Sequence, residues 1–143
     1  MATLDRGSRI YLLVLAAIAA ALVGLWLSGR DSRVEALNET LQRDSKIAAY
    51  PFPFRVLRIE GRTAVVNSPR SPQVSVLRFL AVVRPDLAGL DPDDAAVVAA
   101  QKRLAGVQSR VRKRILEAPY VDQVRWQLDR DWFSRHGIVL PQG

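Results

Sequence analysis

Hydrophobic and polar positions split the chain into one long apolar run and a longer segment of mixed periodicity. No charge falls between Arg9 and Arg30, and Ile10 to Leu27 is apolar throughout apart from Gly24. As a helix, the 20 uncharged residues reach about 30 Å, the thickness of a bilayer core. Tyr11 and Trp26 stand at the two ends, where aromatic rings prefer the headgroup region. The pattern predicts a transmembrane helix over 10–29 behind a short tail, 1–9. A cleaved signal peptide is the rival reading, with an apolar region of roughly 7–15 residues ending in an A-x-A-like site. Here the run is longer and closes on Leu25-Trp26-Leu27-Ser28-Gly29, with its alanines in mid-run.

After the apolar run the periodicity changes several times. Ser32-Arg33-Val34-Glu35 matches a capping box, and Val34, Leu37 and Leu41 form a thin apolar stripe. A short stalk helix is expected within 30–49, with Gly29 loosening its junction to the membrane helix. Tyr50-Pro51-Phe52-Pro53-Phe54 cannot be helical, because a residue before proline is pushed to extended geometry. Its aromatics are expected to pack the start of a strand onto the core. Phe54–Ile59 and Thr63–Asn67, joined by Glu60-Gly61-Arg62, read as a hairpin that ends at Ser68-Pro69-Arg70-Ser71-Pro72. Val76, Leu77, Leu80 and Val83, with Phe79, fit helical spacing over Val74–Val83. A longer helix is expected to start at Asp91 as N-cap with Pro92 in its first turn, and to stop at Ala118-Pro119. Its apolar face is Val97, Leu104, Val107, Val111 and Ile115. Val124, Trp126 and Leu128 alternate with Gln123, Arg125 and Gln127, the signature of a half-buried strand. Asp129 then caps a short helix over Asp131–His136, which Gly137 closes. The expected architecture is α+β: a transmembrane helix, then a soluble domain over 50–143 in the order β-β-α-α-β-α, its small antiparallel sheet packed with helices.

Composition removes whole classes of chemistry. The 143 residues include no cysteine, which excludes disulfides, thiolate metal sites and a cysteine nucleophile, and the single histidine excludes sites with several histidine ligands. The net charge is +7, from 18 Arg and 3 Lys against 14 acidic residues. Basic residues flank the apolar run on both sides: Arg6 and Arg9 before it, Arg30 and Arg33 after it, with Arg43 and Lys46 further on. The Lys/Arg count slightly favours a cytoplasmic C-terminal side. A signal-anchor arrangement keeps the tail inside, and long domains translocate largely regardless of charge. The expectation is an inner-membrane protein whose C-terminal domain is periplasmic.

Five features are candidates for a function. Ala16, Ala20 and Gly24 recur at every fourth position, a small-residue stripe of the kind that lets transmembrane helices approach closely. Arg103, Arg110, Lys113 and Arg114 make a basic surface on the long helix, suited to anionic headgroups or an acidic partner, or simply a solvated face that favours the helix C-terminus. Nucleic acid is not expected as a partner, since aromatics suited to base stacking are missing nearby. Asp129 and Asp131 form a D-x-D pair that can hold Mg²⁺, or a cap and a dipole-favouring charge. The same alternatives apply to Asp91, Asp93 and Asp94. Phosphate chemistry also needs a cradle, and the glycines are isolated rather than gathered in a loop. His136 sits just before Gly137, where a cation satisfies the last helical carbonyls. Ser134, two residues away, points elsewhere on a helix.

The segments Tyr50-Pro51-Phe52-Pro53-Phe54-Arg55-Val56, Ser68-Pro69-Arg70-Ser71 and Val124-Arg125-Trp126-Gln127-Leu128-Asp129-Arg130-Asp131-Trp132 resemble a group of small bacterial single-span membrane proteins of no settled function. Some of these carry the label glutamate-ammonia-ligase adenylyltransferase. That activity belongs to large soluble enzymes with a glycine-serine loop ahead of paired aspartates, and this chain lacks the loop. The helix-to-strand passage around Val121–Leu128 is also similar to small periplasmic α+β domains of the BON type. The first resemblance covers most of the chain, including the membrane anchor, and implies no cofactor.

The sequence therefore points to a non-enzymatic single-pass membrane accessory protein, without cofactor, associating with another membrane protein or with itself. An anionic-lipid-binding surface module is the alternative, and a Mg-dependent nucleotidyltransferase-like enzyme a more remote one.

Overall fold

The computed structural model describes residues 6–28 and 31–142, the side chains of 27 and 28 excepted. They fall into two compact units that divide between Ser32 and Arg33. The first contains helix α1, Arg6–Ser28. Its alanines and leucines are strong helix formers and no proline interrupts them. The 21 residues Arg6–Trp26 are long and apolar enough to cross a membrane, and no part of their most apolar window is buried. By length and composition α1 fits a membrane anchor and a signal sequence alike. The junction glycine, Gly29, and the tail residues 1–5 lie outside the described residues.

The second unit is α+β. Helices α2 (Ser32–Arg43) and α3 (Ser45–Ala48) precede strands β1 (Val56–Glu60) and β2 (Thr63–Ser68). Helix α4 (Val76–Val83), a 3-10 turn (Pro85–Leu87) and helix α5 (Ala95–Leu116) lead to strand β3 (Gln123–Leu128) and helix α6 (Arg130–Arg135). The strand order is β1-β2-β3. β1 and β2 form the expected hairpin, with Gly61 at φ 61° in its turn and a bulge near Leu57. β3 lies parallel to β2, from Thr63 opposite Gln123 to Ser68 opposite Leu128, so the sheet is mixed and the expected antiparallel sheet is corrected. The physical reason is the connection. A parallel neighbour needs a crossover of a dozen or more residues, and the helical segment from Pro69 to Asp122 supplies it. Period-2 patterning in β3 reports which face is buried and carries no information on direction. Arg62 in the hairpin turn pins the returning chain, giving a bidentate bond to Asp122 and a third to the Pro119 carbonyl.

One face of the sheet meets the helices. Ile59, Ala64, Val66, Val124, Trp126 and Leu128 join Phe79, Leu104, Val111 and Ile115 in the core. The Tyr-Pro-Phe-Pro-Phe segment enters this core as expected: Phe52 is wholly buried, edge-on to Phe79 at 5.7 Å, with Trp132 also at 5.7 Å. The opposite face is polar. Glu60 there accepts from Arg58 and Arg125, while Arg58 also donates to Gln127, and these chains roof the buried Val65.

Within the segment expected as a stalk helix or linker, residues 33–49 lie in the second unit. Leu37, Leu41 and Ile47 are buried in the core, with Val34 against it. The side chain of Asn38 in α2 donates to the Val56 carbonyl at 3.1 Å and accepts from the Val56 N–H at 2.7 Å, standing in for a neighbouring strand at the exposed edge of β1. Other boundaries shift for local reasons. Ser32 lies inside α2 rather than ahead of it. Phe54 precedes β1 because its N–H turns back to the Phe52 carbonyl at 3.1 Å. α4 begins after Ser75, whose hydroxyl caps Leu77 N. α5 begins after Asp94, not Asp91: the Asp91 carboxylate closes a turn onto Asp93 N, and Asp94 caps Ala96 N at 2.8 Å. α6 runs Arg130–Arg135 with His136 as its C-cap and Gly137 beyond it at φ 74°.

Candidate functional site

The densest charge cluster of the second unit is built around Asp44, a residue the sequence reading passed over. Asp44 precedes α3 and caps it, accepting from Lys46 N at 3.2 Å and Ile47 N at 3.4 Å. α5 then brings two arginines, one turn apart, to the same carboxylate. Arg110 Nε lies 2.7 Å from both oxygens and Arg114 Nε lies 2.8 Å from one. The Asp44 side chain is only 2% exposed, against 37% for Arg110 and 38% for Arg114. The Arg110 guanidinium holds the Asp44 carboxyl far below the usual carboxylate range; burial opposes it, and Arg114 and the Ile47 N–H reinforce it. Arg114 also reaches Glu117.

The four expected basic residues have different neighbours. Arg103 and Arg110 line a groove of about 530 Å³ between α3 and α5, together with Lys46, Ser45, Ala49, Gly106 and Val107. Arg103 lies over the Tyr50 ring, 5.9 Å from its centroid, and burial raises the Tyr50 phenol. Lys113 lines a different hollow with Ser109, Arg112, Leu116 and Glu117. Arg114 is committed to Asp44 and Glu117. Lys46, which sequence reasoning had counted only as a membrane flank, faces the groove. Gly106 sits in the interior of α5, where glycine costs about 1 kcal/mol relative to alanine, and a Cβ built there meets nothing within 4 Å.

The D-x-D pair is taken apart in the same way. Asp129 is buried: one oxygen caps Trp132 N at 2.9 Å and the other accepts from Asn67 Nδ2 at 3.0 Å. Asp131 is exposed at the start of α6, and Arg55 and Arg130 balance the two carboxylates in the hollow beside the pair. Among the described residues no three His, Cys, Asp or Glu side chains gather as a metal site. Asn67 is a second polar residue missed in the sequence. It is wholly buried, accepting from Arg55 N at 2.7 Å and donating to the Pro53 carbonyl at 2.9 Å as well as to Asp129. An asparagine amid β-branched strand residues was the available signal. Gln108 is the third: buried on α5, it accepts from Arg70 and donates to Ser68. The His136 ring stacks on Trp132 at 4.0 Å, with Nδ1 2.7 Å from the Trp132 carbonyl, an acceptor, so Nδ1 carries the proton. No buried side-chain nitrogen or oxygen among the described residues lacks a partner.

Ala16, Ala20 and Gly24 lie exposed at four-residue intervals along α1, in the first unit.

No family model, no curated protein and no solved structure matches the chain.

Proposed function

We propose that this protein is a single-pass membrane-anchored accessory protein without catalytic activity, its α+β domain held beside a membrane protein complex. The observation that carries the reading is the contrast between the two units. From Ile10 to Trp26 α1 carries no charge and is exposed, as a helix solvated by lipid would be. In the second unit the buried groups of greatest chemical potential, Asp44, Asn67 and Asp129, are bound by cap and cross-element hydrogen bonds. A catalytic acid, base or nucleophile needs a free face toward a substrate. In this proposal the anchor lies in the cytoplasmic membrane with the domain on the periplasmic side. Ala16, Ala20 and Gly24 are the face through which α1 meets a partner helix or a second copy.

Purification of the C-terminally tagged full chain in gentle detergent, followed by mass spectrometry and a Gly24→Leu control, tests the reading. A stoichiometric membrane partner, or a dimer, lost on Gly24→Leu supports it; a lone monomer in both forms contradicts it. Orientation is read separately. The chain has no cysteine, so Gln142→Cys gives one site for an impermeant maleimide, and labelling in intact spheroplasts places the domain outside.

A further inference from the structure

We propose that the groove between α3 and α5 holds the headgroup of an anionic phospholipid from the membrane that anchors α1. The inference rests on the reading of α1 as an anchor and adds a ligand class to the second unit.

Three cationic side chains converge on the groove: Lys46, Arg103 and Arg110. Neither Lys46 nor Arg103 has a carboxylate partner among the described residues. Arg110 is bound to Asp44 through Nε alone, so its two terminal nitrogens remain available to an outside acceptor. Asp44 holds that guanidinium in place from behind, and since the carboxylate is buried and answered by two arginines, the groove keeps a net positive lining. Guanidinium nitrogens in a fixed fork match phosphate oxygens, and an ammonium adds a movable point charge. The rest of the lining is small or apolar, Ala49, Gly106 and Val107, and suits the glycerol and first methylenes below a headgroup. The open space before Gly106 is what a side chain at that position would fill.

Size and tether choose the occupant. A stable protein partner needs about 800 Å² on each side, more than one narrow groove offers, whereas a volume of about 530 Å³ is of ligand size. α1 and the second unit belong to one chain, so a lipid in the anchoring bilayer is presented at high effective concentration.

The test uses the full chain in a neutral detergent, titrated with phosphatidylglycerol or phosphatidylcholine in mixed micelles and read by native mass spectrometry. Gly106→Leu fills the groove, keeps every charge and improves helix propensity. Lys46→Gln with Arg103→Gln keeps the groove and removes charge, so the test does not depend on one variant folding. Expected are at least tenfold preference for phosphatidylglycerol and at least tenfold weaker binding by both variants. Equal binding of the two lipids, or phosphatidylglycerol binding unchanged by Gly106→Leu, overturns the proposal, the latter because lipid around α1 would be insensitive to the groove. Displacement of the lipid by equimolar inorganic phosphate, or by an acidic peptide at lower concentration, overturns the assignment to a lipid. Alkaline extraction of the wild-type chain reads the anchor independently of these variants. A chain that stays in the membrane yet shows no lipid preference fails here alone.

Discussion

Asp44→Asn separates the charge of the Asp44 cluster from its geometry. Asparagine is as good an N-cap as aspartate, so the bonds to Lys46 N and Ile47 N survive, while Arg110 and Arg114 lose their anion. Breaking a fully buried ion pair costs about 3–5 kcal/mol. Here only the carboxylate is buried, and both guanidiniums are more than a third exposed, so water recovers part of the loss. The expected destabilisation is about 2 kcal/mol, rising by about 1 kcal/mol in Asp44→Ala, which also removes the cap. Urea unfolding of the full chain in non-ionic detergent, followed by the fluorescence of Trp126 and Trp132, measures it. The pH dependence is a second signature. Because the folded carboxyl is held below its ordinary value of 3.8, its contribution is complete above that value and is lost as pH falls toward the folded one. Wild type and Asp44→Asn therefore differ by a constant amount from pH 5 to 7, and the gap narrows progressively as pH falls below about 4. A cost under about 0.5 kcal/mol, or a gap that does not close in acid, would refute the role given to Asp44.

Three further substitutions probe the polar and aromatic interior. Asn67→Leu strands Arg55 N, the Pro53 carbonyl and one oxygen of Asp129, and is expected to cost about 2–4 kcal/mol by the same unfolding assay. Phe52→Ala opens a cavity between Phe79 and Trp132 and is expected to cost about 3–5 kcal/mol, visible also as a loss of near-ultraviolet circular dichroism. Asp131→Asn touches an exposed carboxylate and is expected to change stability by less than about 0.5 kcal/mol, with no Mg²⁺-dependent shift of the unfolding midpoint in either protein.

What the sequence made legible was local. The apolar run over Ile10–Leu27 follows from its length and lack of charge, the hairpin around Gly61 from turn residues between two β-rich runs, and the spacing of Val76, Phe79, Leu80 and Val83 and the alternation in β3 from periodicities of 3.6 and 2. What stayed hidden was long-range. The parallel pairing of β3 depends on where the crossover returns the chain, which no window of residues records. The absorption of α2 into the core depended on which surface Leu37 and Leu41 would meet. The basic cluster misled for a related reason. Arg110 and Arg114 read as a solvated or ligand-binding face because their partner, Asp44, lies 66 and 70 residues away in the chain. Asp91 reads as the cap because Pro92 follows it and suits a first helical turn; the structure gives the cap to Asp94, since the Asp91 carboxylate closes a turn onto Asp93 N while Asp94 meets the first free N–H.

Membrane anchoring by an uncleaved α1 is the premise on which the functional proposals stand, and alkaline carbonate extraction combined with intact mass decides it. The full chain is expected in the membrane pellet at its complete 15.9 kDa, and a chain lacking residues 6–28 in the supernatant. A full-length chain released by carbonate, or a mature form shortened from its N-terminus, would contradict the anchor and make α1 a surface helix or a signal sequence instead.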